Sequence, residues 1–82
     1  EIDLAYRREI FRKKVLEEAI GRAVDRLIDS RKRVVKLYLL NLSIQEISNY
    51  LNWSQDKIRN LLYRGLADLR EMLKHMDVKN ED

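Results

Sequence analysis

No proline interrupts the 82 residues, and only two of them are glycine. Proline is the residue that most strongly stops a helix, so helices in this chain end only where a capping residue, an Asn or a Gly ends them. Apolar residues recur at steps of three and four almost throughout, which is the period of helices rather than strands. The expected fold class is therefore all-α, a small helical bundle of about four helices. With no Cys in the chain, neither a disulfide framework nor a thiolate zinc site can staple it, and the bundle must rest on apolar packing alone. A chain this short buries one modest core and leaves no room for a deep substrate cleft. His75 is the single histidine, too few for a metal constellation or a His-centred catalytic dyad. No enzyme activity, cofactor or metal is expected.

The periodicity divides the chain. Leu16, Ala19, Ile20, Ala23, Val24, Leu27 and Ile28 form one stripe on a helix that should end near Asp29-Ser30. Val34, Val35, Leu37, Tyr38 and Leu40 make a second run, apolar on most sides and so expected to be mostly buried. Asn41 interrupts it. Ser43, followed three residues later by Glu46, reads as a capping box opening a short helix over about 44–51. Asn52 breaks that helix, and Ser54 offers a second cap with Asp56 in the first turn, where the helix dipole favours an acid. The last helix carries Ile58, Leu61, Leu62, Gly65, Leu66, Leu69, Met72 and Leu73 on one face and should run to about Lys74. Residues 1–14, with a weaker pattern at Ile2, Leu4, Ile10 and Phe11, read as linker or helical extension, 15–75 as the domain, and 76–82 as a polar tail.

Between Ile44 and Tyr63 the order is short helix, tight turn, long helix, with apolar Ile47, small Ser48, turn-forming Asn52, then Ile58 and Leu61. This pattern fits a helix-turn-helix whose second, C-terminal helix is the long one: the small residue admits close approach, and Asn tolerates the left-handed turn conformation. With Ile58, Leu61, Leu62 and Gly65 turned inward, the opposite face holds Gln55, Asp56, Lys57, Arg59, Asn60, Tyr63 and Arg64. Arg bonds guanine edges bidentately, Asn and Gln bond adenine, and Lys and Arg hold phosphates. From periodicity alone, a recognition face and a solvated bundle face both satisfy the pattern.

The stretch from about Leu16 to Leu73 resembles region four of bacterial RNA polymerase sigma factors, particularly the compact extracytoplasmic-function group. The residues that carry the likeness are Leu27 with Arg31-Lys32-Arg33-Val34-Val35, Leu42 to Ser48, and Ser54 to Leu66 with Leu69-Arg70. Departures are Ile28 where the family often has Pro, Asn52 and the neighbourhood of Asn41 where it often has Gly, Ser48 where it often has Ala, and a turn before Ser43 about one residue shorter than usual. The resemblance implies that Gln55, Lys57, Arg59, Asn60, Tyr63 and Arg64 enter the major groove of the promoter −35 element. It further implies that apolar surface near Leu37, Leu40 and Leu42 meets the flap tip of the polymerase β subunit, and that an anti-sigma factor can cover either surface. A domain of this kind positions core RNA polymerase but does not itself open DNA. The alternatives are a response-regulator output domain of the same helix-turn-helix type, or a protein-interaction module that binds no DNA. Tyr63-Arg64-Gly65-Leu66 and Leu69-Arg70 resemble sigma factors better than response regulators.

Charge and single residues add detail. The net charge of +3 is too small by itself to announce nucleic-acid binding. Arg31, Lys32 and Arg33 either contact phosphate or form a solvated face. Trp53 is expected to pack as a lid on the core rather than touch the DNA backbone, and Tyr38 and Tyr50 at the core's edge with their hydroxyls wet. Glu17, Glu18, Asp25 and Asp29 should form surface ion pairs with Arg22 and Arg26, and His75 should interact with a helix C-terminus. No apolar run reaches the length of a membrane span, no signal sequence is visible and Cys is absent, so a cytoplasmic setting without membrane contact is expected. The chain begins at Glu1 rather than Met, as expected of a processed chain or an excised fragment.

Overall fold

The computed structural model describes residues 4–75. Four helices follow one another: α1 (Leu4–Asp25), α2 (Asp29–Leu39), α3 (Ile44–Leu51) and α4 (Gln55–His75). The expected polar tail at 76–82 and the position of Ile2 lie outside the described residues. Residues 4–14 are helical and continuous with the rest of α1.

The first helix ends at Asp25, short of the Asp29-Ser30 boundary that its stripe suggested. The backbone tightens instead, with Arg26 and Leu27 N–H groups donating to the Ala23 and Val24 carbonyls at 3.0 Å. Leu27 remains buried although it has left the helix, because the turn drops its side chain onto the same core. Ile28 precedes α2 with φ −66° and its side chain lies exposed. That φ is the angle at which proline is fixed, so the family's Pro and this Ile serve one backbone conformation.

The two Asn breaks are both positive-φ residues, Asn41 at 74° and Asn52 at 61°. At the end of α2 the Leu42 N–H reaches back to the Leu37 carbonyl at 3.2 Å and the Asn41 N–H to the Tyr38 carbonyl at 2.9 Å. This is a Schellman arrangement, which satisfies carbonyls that the helix end would otherwise leave unpaired. The capping box at Ser43 forms as the spacing predicts: the Glu46 N–H donates to Ser43 Oγ at 3.1 Å and the Ser43 N–H to Glu46 Oε1 at 2.8 Å.

The core is one cluster built from Ala23, Val24 and Leu27, Val34 and Val35, Ile47, and Ile58, Leu62 and Leu69. Every element contributes, and α4 packs against all three other helices. Its closest neighbour is α2, and Gly65 is the reason. A Cβ built there would lie 2.6 Å from Val35 Cγ2, inside van der Waals contact, so only glycine lets these two helices meet at that separation. Val35 is fully buried.

The second helix is less buried than its composition suggested. Val34 and Val35 are enclosed, but Tyr38, Leu39 and Leu40 are exposed. An eleven-residue helix lying over α4 has one covered side, whatever the hydropathy of the other. Tyr50 is 73% exposed, not tucked at the core's edge. The surface ion pairs also differ from expectation. Asp25 pairs across the turn with Lys36 at 3.6 Å, and no pair joins Glu17, Glu18 or Asp29 to Arg22 or Arg26 among the described residues. His75, at the last position of α4, lies 3.7 Å from Glu71 Oε1. No helix of the described residues is long and apolar enough to cross a membrane, and no group of His, Cys, Asp or Glu there could hold a metal.

Candidate nucleic-acid interface

The helix-turn-helix is formed by α3 and the first half of α4. Ile47 and Ile58, one from each helix, are fully buried and lock the pair. The turn between them is closed by Ser48 and Trp53: the Trp53 N–H donates to the Ser48 carbonyl at 3.2 Å, and Ser48 Oγ donates to the Trp53 carbonyl at 2.5 Å. Ser48 therefore does more than stand in for a small residue. Its hydroxyl adds a bond that alanine cannot make, and ties the start of the second helix to the end of the first.

The start of α4 is fixed by its cap, as the Lys57 N–H donates to Ser54 Oγ at 3.1 Å. From there the polar face follows the helical period. Gln55, Lys57, Asn60, Tyr63 and Arg64 are exposed, and Arg59 is half-buried. Tyr63 shows 64% of its surface to solvent, the behaviour of a side chain placed on the outer face and not of a core aromatic. All six residues named from the sequence thus show at least part of their side chains to solvent.

Two of the basic side chains on this face are already held. Lys57 Nζ stands 4.1 Å from the centroid of the Trp53 ring, a cation–π contact. Trp53 packs against the core as a lid, so its ring forms a fixed platform for Lys57. Arg59 Nη1 donates to Asp56 Oδ1 at 2.9 Å, one turn earlier on the helix. Sequence spacing allowed both contacts but did not select either, since side-chain direction at the turn decides them.

The other candidates scatter. Arg31 turns toward α4, where its Nη1 is bonded by Asp68, and its Nε is buried without a partner among the described residues. Its guanidinium is an inter-helix tie rather than a free cation. Lys32 is half-buried and Arg33 exposed. Leu37 and Leu42 pack against the core, whereas Leu40 is 70% exposed. Leu40 and its neighbour Leu39 border an open groove between α1 and α2 whose apolar lining includes Ile20 and Val24. Gly21 also lines the groove, with nothing within 4 Å of where a Cβ would stand.

Residues 17–69 match the family model described as Sigma-70, region 4. No curated protein and no solved structure matches the chain. The matched stretch begins in α1, takes in all of α2 and α3, and reaches through the buried part of α4 to Leu69. It falls on the sigma side of the two helix-turn-helix readings and covers well over half of the 82 residues. The chain belongs to the sigma-70 region 4 family, the DNA-binding helix-turn-helix domains with which sigma factors take part in promoter recognition.

Proposed function

We propose that this domain reads the promoter −35 element, with α4 laid in the major groove. The observation that carries the reading is the single outer face of α4 on which Gln55, Lys57, Arg59, Asn60, Tyr63 and Arg64 stand together, next to a rigidly closed turn. Arg59 and Asn60 supply base-edge contacts, because guanidinium and amide groups match the donor and acceptor patterns of guanine and adenine. Lys57 and Arg64 hold phosphates at the flanks, and Arg33 with Lys32 extends the phosphate contact. Tyr63 packs on the groove wall. The domain is non-catalytic, and the extracytoplasmic-function subgroup is part of the same reading.

Exposed Leu40, at the mouth of the groove between α1 and α2, supports a contact with the flap of the polymerase β subunit. An anti-sigma factor competes for one of these two surfaces.

Fluorescence anisotropy with duplexes carrying −35-type sequences tests the DNA reading. Arg59→Ala should weaken binding to the preferred duplex far more than to a scrambled one. Lys57→Ala should weaken both alike and reduce the slope of log K against log salt by about 1. A chain that binds no duplex in a salt-dependent way contradicts the proposal.

A further inference from the structure

Asp56 is the only acidic residue between Gln55 and Ala67, so it is alone among the bases and amides of the outer face of α4. An acid that close to a phosphate backbone weakens every duplex complex, sequence-specific or not. Its stabilising effect on the helix dipole would be met equally by an acid at another first-turn position. As an ion pair it adds little stability, because the Asp56 side chain is 92% exposed and exposed pairs are worth little. What the pair does fix is geometry. With Nη1 donating to Asp56 Oδ1 at 2.9 Å, one corner of the Arg59 guanidinium is held on the helix. The remaining donors of its planar fork then point in a set direction.

We propose that Asp56 is a positioning residue for sequence selectivity: it holds Arg59 so that the free edge of its guanidinium meets a guanine, and it keeps that guanidinium from settling on phosphates. The inference rests on the reading of α4 as a recognition helix. A free arginine on such a face finds a phosphate within reach on any sequence, which raises affinity without discrimination. An arginine already paired gains from DNA only where a base edge takes up the donors that the carboxylate leaves open. The carboxylate also repels the phosphates that would otherwise draw the side chain aside. Lys57, stacked on Trp53, is left to supply the unselective contact.

The test is selection from a duplex pool randomised over the contacted positions, sequencing the fraction bound by the 82-residue chain and its variants. Asp56→Asn should bind the unselected pool more tightly, and its preference for guanine at the position set by Arg59 should fall by about tenfold or more. Preferences at the other positions should stay. Asp56→Glu, which keeps a carboxylate within reach of Arg59, should restore most of the selectivity. In an Arg59→Ala background, Asp56→Asn should leave the remaining preferences untouched. If Asp56→Asn strengthens binding to all duplexes equally and keeps the guanine preference, the carboxylate acts only by charge and the inference is wrong. A wild-type chain that selects no sequence at all overturns the recognition-helix reading and this inference together. A wild type that selects, with an Asp56→Asn that selects equally well, overturns this inference alone.

Discussion

At Asn52 the backbone takes φ 61° and ψ 39°, a conformation that costs a β-carbon-bearing residue roughly 1 to 2 kcal/mol. Asn reduces that cost by local hydrogen bonding of its amide, and glycine avoids it. Asn52→Ala should therefore lower the stability by about 1 kcal/mol, and Asn52→Gly should be close to neutral, as read from urea denaturation followed by circular dichroism. Equal stability of the Ala and Gly variants would mean that the turn relaxes into another conformation. Asn41, Ser43, Glu46 and Ser54 were equally legible, because caps and breaks depend on the few residues around them. The partners of long charged side chains were not legible. Lys57 on Trp53 and Arg59 on Asp56 are local contacts set by side-chain direction, whereas Arg31 on Asp68 needs α2 packed on α4.

At the scale of elements, the α2–α4 contact depends on Gly65. Gly65→Ala gains up to about 1 kcal/mol of helix propensity, but the added methyl meets the buried Val35 side chain, and such overpacking typically costs about 1 to 3 kcal/mol. The melting temperature should fall. Adding Val35→Ala removes the atom in conflict, so the double variant should be less destabilised than the two single effects combined. Additive losses in a double-mutant cycle would place the conflict elsewhere. Helix boundaries show the same dependence on packing. The capping box set the start of α3, whereas α1 ended early because its last apolar residues, Leu27 and Ile28, serve the turn and not the helix.

At the scale of the whole molecule, the outward features of the described residues include the polar face of α4, the groove between α1 and α2, and the N-terminal part of α1, where Phe11 is 70% exposed. The first two belong to separate surfaces and should fail separately. Leu40→Gln, at an exposed position, should change stability by no more than about 0.5 kcal/mol and leave duplex binding intact, while weakening association with core RNA polymerase in a pull-down or titration. Loss of duplex binding in this variant would show that the two surfaces are one. The sequence by itself determined the all-helical class, the four elements, the two left-handed breaks and the residues on each face of α4, since these follow from periodicity and local hydrogen bonding. Tertiary structure alone decided that Tyr38, Leu39 and Leu40 lie open and that Arg31 is drawn inward to α4. Exposure and side-chain pairing depend on which helix faces are covered and on the direction each side chain takes, and neither is fixed until the helices have packed.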